Sequence, residues 1–261
     1  MDKQKVVDYI VHWLQDYANG AGVKGFIVGI SGGIDSALTS TLCALTELDV
    51  LLVSMPIRQT KAEYSRAMEH IKDLEAKFDN VRSIDIELTD SFAAIEKALP
   101  KHVLENFLAM ANTRARLRMT TLYALGQADG LLVAGTGNKV EDFGVGFFTK
   151  YGDGGVDLSP IADLVKTEVF DIARELGVVD SILEAKPTDG LWEDGRSDEE
   201  QIGASYPELE WAMGYEGDGS ELDERHKEVL EIYNKFHRAN LHKMKPIPVC
   251  EIPTDIKGSS L

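Results

Sequence analysis

A glycine-rich hexapeptide with one carboxylate and two hydroxyls carries the strongest chemical signal in this 261-residue sequence. The hexapeptide Ser31-Gly32-Gly33-Ile34-Asp35-Ser36 follows the apolar run 26–30 and precedes leucines at helical spacing, which predicts a strand, a tight turn and a helix. A helix N-terminus offers unpaired N–H groups and partial positive charge, and glycines let the backbone approach an anion closely. We therefore interpret the hexapeptide as a phosphate-binding loop, with Ser31 and Ser36 as hydroxyl donors.

Asp35 indicates that this loop works together with a metal ion. A bare carboxylate would repel a polyphosphate, whereas Mg²⁺ is commonly bound by one or two carboxylates together with phosphate oxygens. The Gly-Lys-Ser/Thr sequence of a Walker loop is absent here, so the phosphate-binding lysine of that motif is not expected. The competing interpretation is an ordinary glycine turn in which Asp35 or Ser36 caps a helix. The register of all six residues after a strand favours the phosphate loop.

The hexapeptide resembles the pyrophosphate loop of the ATP pyrophosphatase superfamily. Members of that superfamily cleave ATP between its α and β phosphates and form an adenylate. The resemblance implies that the backbone from Gly29 onward holds the departing diphosphate.

The elements that must position this loop alternate between strands and helices. After the first strand, apolar runs at 50–55 and 131–134 and an alternating segment rich in Val and Ile at 80–87 predict further strands. Helices are expected at 3–17, 37–45, 59–77, 89–99, 101–127, 164–176, 197–213 and 222–241. This alternation predicts an α/β fold, a doubly wound parallel sheet covered on both faces, with a helical C-terminal part. Ligands bind beyond the carboxyl ends of such strands, and the hexapeptide, Met55-Pro56 and Gly135-Thr136 all begin there.

The composition narrows the range of functions. Nucleic-acid binding depends on Lys and Arg, and a formal net charge of −17 argues against it. Cys43 and Cys250 are the only cysteines, so we expect no disulfide scaffold and a reducing cytoplasm. The N-terminus predicts an amphipathic helix rather than a signal peptide, and no apolar run is long enough to span a membrane. Because no domain boundary is evident, we expect residues 1–261 to form a single domain.

Two glycine-rich stretches in the second half add candidate site residues. Thr136 and Glu141 follow the fourth predicted strand; Thr136 could reach a nucleotide and Glu141 could be a second metal carboxylate. An ordinary turn with an exposed acid is the alternative for this stretch taken alone. The run 146–160 then combines four glycines with an aromatic pair and the carboxylates of Asp153 and Asp157.

This second stretch, together with Lys166 and the run 186–192, closely resembles the NAD⁺ synthetase family. The sequence Phe148-Thr149-Lys150-Tyr151-Gly152-Asp153-Gly154 is more specific to that family than the pyrophosphate loop, which many enzymes share. The resemblance extends as far as His242-Lys243. It implies an adenine nucleotide alpha-hydrolase-like, three-layer α/β/α fold. It also implies a homodimer that amidates deamido-NAD⁺ (nicotinic acid adenine dinucleotide) by means of ATP and Mg²⁺.

The resemblance also implies roles for individual residues. Those implied to bind ATP are Gly29, Ile30, Ser31, Gly32, Gly33, Ile34, Asp35, Ser36, Thr136, Lys166 and Thr188. Asp35 and Glu141 are implied to ligate Mg²⁺. The residues implied to hold deamido-NAD⁺ are Arg116, Lys150, Asp157, His242 and Lys243.

The amide nitrogen is expected to come from free ammonia. Some relatives carry a glutaminase domain with a catalytic cysteine, but neither Cys43 nor Cys250 has such a sequence context. Three alternative functions share parts of the pattern: an RNA-modifying adenylating enzyme, a GMP synthetase-like ATP domain and a non-catalytic ATP-binding module. The negative net charge disfavours the RNA-modifying enzyme, and the run Phe147 to Gly155 disfavours the GMP synthetase-like domain. A sensor would have no use for Asp35 together with a second carboxylate.

Overall fold

One parallel sheet organises the protein in the computed structural model, which describes residues 1–185 and 197–257. Its strands run in the order β3-β2-β1-β4. Their bounds are β1 Gly25–Gly29, β2 Asp49–Ser54, β3 Val81–Asp85 and β4 Leu131–Val133. In the centre, Ile27 of β1 pairs with Leu51 on one side and Val133 on the other. The predicted parallel α/β sheet is confirmed.

Helices connect and cover the strands. They are α1 Lys3–Ala21, α2 Ile34–Ala44, α3 Lys61–Lys77, α4 Thr89–Ala98, α5 Lys101–Leu104, α6 Phe107–Asp129, a π-helix Lys139–Val145, α7 Lys166–Glu175, α8 Asp180–Leu183, α9 Asp198–Ile202, α10 Tyr206–Gly214, α11 Glu224–Met244 and α12 Thr254–Lys257. None of the helices within 1–185 and 197–257 is long and apolar enough to cross a membrane.

Two helices that the sequence predicted as continuous are each divided into two, so these predictions were wrong. The segment 101–127 divides into α5 and α6 because the side chain of Asn106 accepts a hydrogen bond from Ala109 N (3.0 Å) and so begins a new helix. The segment 197–213 divides into α9 and α10, since Gly203 ends α9 in the left-handed region at φ 91°. Ser205 N then donates to the Glu208 carboxylate at the start of α10 (2.8 Å). Each break is made by local capping, which hydrophobic spacing does not reveal.

The hydrophobic core lies on both faces of the sheet. Alternate residues of β1 point to opposite faces: Phe26 and Val28 pack with α1, α2, α3 and α7, whereas Ile27 packs with α4 and α6. A third buried cluster joins the π-helix to α10 and α11 through Val145, Leu209 and other side chains. The helical C-terminal part therefore packs directly against the segment that follows β4.

Two glycine-to-alanine substitutions in helices are expected to have opposite effects on stability. A Cβ at Gly126 in α6 would lie 2.9 Å from Leu131 O and 3.1 Å from Ile27 Cγ2, so α6 would have to move away from the sheet. We expect Gly126→Ala to lower the free energy of unfolding by about 1–3 kcal/mol. Gly20 in α1 has no neighbouring atom within 4 Å of such a Cβ, and Gly20→Ala should be neutral or stabilising by up to about 1 kcal/mol. Urea unfolding measures both changes; a neutral Gly126→Ala would contradict this packing.

Candidate active site

A large cavity opens at the carboxyl ends of the strands. Its volume is about 760 Å³, within the range typical of sites for small molecules and cofactors. The loop 29–35 after β1, residues 54–56 after β2 and residues 134–136 after β4 line one side. The segment 146–150 and the end of α11 line another. The three segments that the sequence placed at strand ends thus meet in one site.

The glycine loop has a backbone that only glycine adopts without strain at its centre. Gly32 has φ +83°, and a Cβ there would lie 2.6 Å from Glu63 O of α3. Gly33 is the N-cap of α2. Ser31 Oγ accepts from Gly33 N (3.1 Å), and Ser36 Oγ donates to Gly33 O (2.9 Å). Both serine hydroxyls therefore hold the shape of the loop, a role that the sequence did not predict for them.

The ammonium group of Lys166 lies between two carboxylates at the edge of this loop. Lys166 Nζ is 2.5 Å from Asp35 Oδ2 and 2.8 Å from Glu141 Oε1. The lysine begins α7, Asp35 is in the first turn of α2, and Glu141 belongs to the π-helix. Only 3% of the lysine side chain is exposed, against 17% and 16% for the two acids. Three residues that lie far apart in the sequence are thus brought into direct contact.

Charge pairing rather than solvation stabilises the ionised forms of Lys166 and Glu141. Burial alone would lower the pKa of Lys166, but the Asp35 and Glu141 carboxylates outweigh it and raise that pKa above its ordinary value. Burial likewise opposes ionisation of Glu141, yet Lys166 and a hydrogen bond from Tyr206 hold the pKa of Glu141 below its ordinary value. The lysine is therefore a cation throughout the physiological pH range.

Asn138 connects the glycine loop to the π-helix. Its Nδ2 donates to Asp35 Oδ1 (3.1 Å), while its Oδ1 accepts from the backbone N–H groups of Val140 and Glu141 (3.1 Å each). Asn138 is fully buried. A π-helix is rare and is often found at functional sites; here it directs Glu141 toward Lys166. Asn138 carries no motif that predicts this role from the sequence, although asparagine before a helical turn is a common N-cap.

Tyr206 and Asp198 also belong to the site, although no sequence motif predicts it. The Tyr206 hydroxyl donates to Glu141 Oε1 at 2.5 Å and lies 3.3 Å from Asp198 Oδ2. Its ring centroid is 4.9 Å from Lys166 Nζ, which is a cation–π distance. A capping pattern predicts where α10 begins, but it does not reveal which distant residue the tyrosine will contact.

Four of the five residues implied to hold the dinucleotide lie in the lining of the same cavity. Arg116, Lys150, His242 and Lys243 all line the cavity, as does Thr136. Lys150 Nζ donates to His242 O (3.2 Å), and Lys150 O accepts from Arg116 Nε (3.2 Å). Lys243 Nζ donates to Phe148 O (2.7 Å) and to Gly146 O. Arg116, Lys150 and Lys243 place positive charge on one wall of the cavity.

Two implied residues stand outside this group. Asp157 is not part of the cavity lining. Its carboxylate accepts hydrogen bonds from Val133 N (2.8 Å) and from the Tyr123 hydroxyl (3.1 Å), so it anchors the following loop to β4. Thr188 lies outside the described residues.

The acidic side chains meet part of what Mg²⁺ requires. The hard carboxylate oxygens of Asp35 and Glu141 face the same ammonium group, and Asn138 and Tyr206 hydrogen-bond their outer sides. Within 1–185 and 197–257, no group of three or more His, Cys, Asp or Glu side chains could hold a metal by itself. Mg²⁺ typically completes its coordination with waters and substrate phosphates, so two carboxylates beside a phosphate loop are a fitting donor set.

Comparisons with known proteins show which family the chain resembles. The NAD synthase family model matches residues 6–246. An NH3-dependent NAD⁺ synthetase from Mesoplasma florum is 38% identical over 93% of this chain and 95% of its own length. An NMN synthetase from Francisella tularensis superposes with a TM-score of 0.84 at 30% identity, over 97% of this chain and all of the other. An NH3-dependent NAD synthetase from Campylobacter jejuni superposes with a TM-score of 0.77 at 27% identity, over 96% of this chain and all of the other.

Removing the lysine is expected to leave two buried carboxylates without a counter-ion. We expect Lys166→Met to lower the free energy of unfolding at pH 7 by about 3–5 kcal/mol. Burial would then raise the pKa of both acids, so the folded chain would bind more protons than the unfolded chain. The loss in free energy of unfolding should therefore grow as the pH rises above about 4 and shrink as the pH falls. Mg²⁺ should restore part of the lost stability.

Lys139→Met is the matched control for this experiment. Lys139 pairs with Asp163 at 2.8 Å, but the side chains are 40% and 96% exposed, so its loss should cost less than about 1 kcal/mol. Thermal and urea unfolding between pH 5 and pH 8, with and without Mg²⁺, provide the measurement. If both variants were equally mild and independent of pH, Lys166 would not be the counter-ion of the site.

Proposed function

The chain belongs to the NAD synthase family, and from that premise we propose that it is an NH3-dependent NAD⁺ synthetase. This enzyme is a ligase that amidates deamido-NAD⁺ with ammonia and converts ATP to AMP and diphosphate. The observation that carries the proposal is the Asp35–Lys166–Glu141 cluster beside a glycine loop, in a cavity of about 760 Å³. Cations and backbone N–H groups lie together in this cavity, where they could stabilise the negative charge of the ATP phosphates.

The ATP phosphates are proposed to lie against the loop 29–36. The left-handed backbone at Gly32 and the N-terminus of α2 at Gly33 direct N–H groups toward an anion. Thr136 lies on the same cavity wall and is proposed to contact ATP, as is Thr188. Lys166 is the side-chain cation proposed to reach the phosphates, since the cavity lining includes it.

Asp35 and Glu141 are proposed to hold Mg²⁺ when ATP is bound. In phosphoryl-type transfer such a cation offsets the charge of the phosphates and of the departing diphosphate. Lys166 then becomes available to the phosphates, because the carboxylates that it neutralises acquire another counter-ion. The charge of the two buried carboxylates would therefore be balanced in both states, by Lys166 without ATP and by Mg²⁺ with ATP.

Deamido-NAD⁺ is proposed to bind along the basic wall of the cavity. Arg116, Lys150, His242 and Lys243 lie there, and guanidinium and ammonium groups suit the dinucleotide phosphates. Asp157 is proposed to act on this substrate too; its hydrogen bonds to Val133 and Tyr123 favour an indirect contribution through the loop that it anchors.

The reaction itself needs no protein nucleophile. A nicotinate carboxylate oxygen attacks the α-phosphorus of ATP; the bond to the bridging oxygen breaks and diphosphate leaves with the electron pair. Ammonia then attacks the adenylated carbonyl, loses a proton, and AMP departs. The protein supplies position and electrostatic stabilisation, which are the main terms in such transfers. Backbone N–H groups of the loop and Lys166 are proposed to stabilise the charge that accumulates on the leaving diphosphate.

The other expected properties are proposed as well. Residues 1–261 would act as one domain, because the cavity takes its lining from both the sheet and the C-terminal helices. The homodimer is proposed from the family resemblance, and Phe107 and Leu108, which line the cavity and are 39% and 66% exposed, are apolar side chains that a second copy could cover. The free cysteines Cys43 and Cys250 suit the cytoplasm. A net charge of −17 disfavours nucleic acid as a partner.

A second candidate substrate is the mononucleotide. The NMN synthetase from Francisella tularensis superposes on nearly the whole chain. Amidation of nicotinic acid mononucleotide would use the same carboxylate chemistry and the same ATP site. The two candidates differ only in the adenylate half of the substrate, which the basic wall would have to hold.

Turnover of defined substrates tests the proposal. We expect the purified protein, given ATP, Mg²⁺, ammonium and deamido-NAD⁺, to form NAD⁺ and AMP in equal amounts, as measured by chromatography. Glutamine should replace ammonium poorly, and nicotinic acid mononucleotide should react more slowly than the dinucleotide. A preference for the mononucleotide would select the second candidate. Absence of AMP formation with either substrate would reject both.

A further inference from the structure

The hydroxyl of Tyr206 contacts a carboxylate that the proposed reaction uses, yet the reaction as described gives this tyrosine no role. We infer that Tyr206 is a positioning residue that orients the Glu141 carboxylate for metal binding. This inference rests on the proposed function, because it concerns the carboxylate that would hold Mg²⁺. It adds an outer contact to the site from a helix that contributes no proposed ligand of ATP.

The hydrogen bond between the two residues is short and shielded from water. Tyr206 is 4% exposed, and its hydroxyl lies 2.5 Å from Glu141 Oε1 and 3.3 Å from Asp198 Oδ2. A phenol has one proton to donate, and the shorter distance assigns that proton to Glu141. The same Glu141 oxygen also accepts from Lys166. Tyr206 and Lys166 therefore both hold Oε1 of Glu141, a residue that also lines the cavity.

The tyrosine is itself held rigidly. Its backbone N–H donates to Glu199 Oε1 of α9 (2.8 Å), and the preceding Ser205 N donates to Glu208 (2.8 Å). Hydrogen bonds from an outer residue to a metal-binding carboxylate fix its orientation and tune its affinity for the metal. The α9–α10 junction thus determines where the hydroxyl points, and the hydroxyl determines how Glu141 is presented.

Tyr206→Phe isolates this hydrogen bond. The ring, whose centroid is 4.9 Å from Lys166 Nζ, stays in place, and only the hydroxyl is removed. The probe is α,β-methylene-ATP, which resists cleavage between the α and β phosphates. Its affinity is measured by calorimetry in EDTA and again with Mg²⁺. The ratio of the two affinities reports how much the metal contributes.

We expect Tyr206→Phe to reduce the Mg²⁺-dependent gain in affinity about tenfold, as is typical when an outer-sphere partner is lost. The affinity in EDTA should stay within about twofold of wild type. A purely structural role would weaken both affinities alike. An unchanged gain with Mg²⁺, or equal losses in both conditions, would overturn the inference.

Two further variants keep the test specific. Tyr215→Phe is the matched control: its hydroxyl accepts from Gly219 N (3.0 Å) and lies outside the cavity lining, so the Mg²⁺-dependent gain should be unchanged. Glu141→Gln should lose the gain, and Tyr206→Phe added to it should cause no further loss, because both act through one carboxylate. Additive losses in the double variant would contradict a role through Glu141.

The inference and the proposed function fail separately. If wild-type protein formed no NAD⁺ but Tyr206→Phe still lowered the Mg²⁺-dependent gain, the positioning role would stand and the reaction would be wrong. If NAD⁺ formed normally and the gain did not change, the reaction would stand and the positioning role would be rejected.

Discussion

An ammonium ion buried between two carboxylates is the interaction on which the rest of the site depends. Lys166 Nζ joins Asp35 at the N-terminus of α2 to Glu141 of the π-helix, and all three side chains are largely hidden from water. A buried charge without a partner is strongly destabilising, so the loop, the π-helix and α7 must fold into mutual register. The glycine loop after β1 and the segment after β4 are therefore positioned by electrostatics as well as by the sheet.

The same interaction explains how an acidic protein could bind anionic substrates. The cavity lining includes the carboxylates of Asp35, Glu141 and Asp198, and its cations include Lys166 together with Arg116, Lys150 and Lys243 of the basic wall. A polyphosphate entering the cavity would be repelled by the carboxylates unless a metal ion accompanied it. Nucleotide and Mg²⁺ are thus expected to bind with positive cooperativity, each making the site more favourable for the other.

Much of the fold followed from local patterns in the sequence. Apolar or alternating segments located every strand to within two residues, as in β1 Gly25–Gly29 and β3 Val81–Asp85, because fully buried strands are continuous apolar runs and half-buried strands alternate. Helix breaks at Asn106 and Gly203 and the π-helix were missed, since capping and an altered backbone spacing do not change hydrophobic periodicity.

The site was predictable in its parts but not in its contacts. Asp35, Glu141 and Lys166 were named from a loop motif and a family resemblance, and they meet in the structure. The types of these residues did not reveal that the lysine would lie between the two acids. That arrangement depends on how α7 packs against α2. Asn138 and Tyr206 carried no chemical signal of their own, and only the tertiary structure reveals that they hold the two carboxylates.

The decisive measurement is a crystal structure of the protein with Mg²⁺ and α,β-methylene-ATP. We expect Asp35 and Glu141 to hold Mg²⁺, the phosphates to lie on the loop 29–36, and Lys166 Nζ to contact a phosphate oxygen instead of both carboxylates. If Lys166 still bridged Asp35 and Glu141 while metal and phosphates bound elsewhere, the proposed role of the three residues would be wrong.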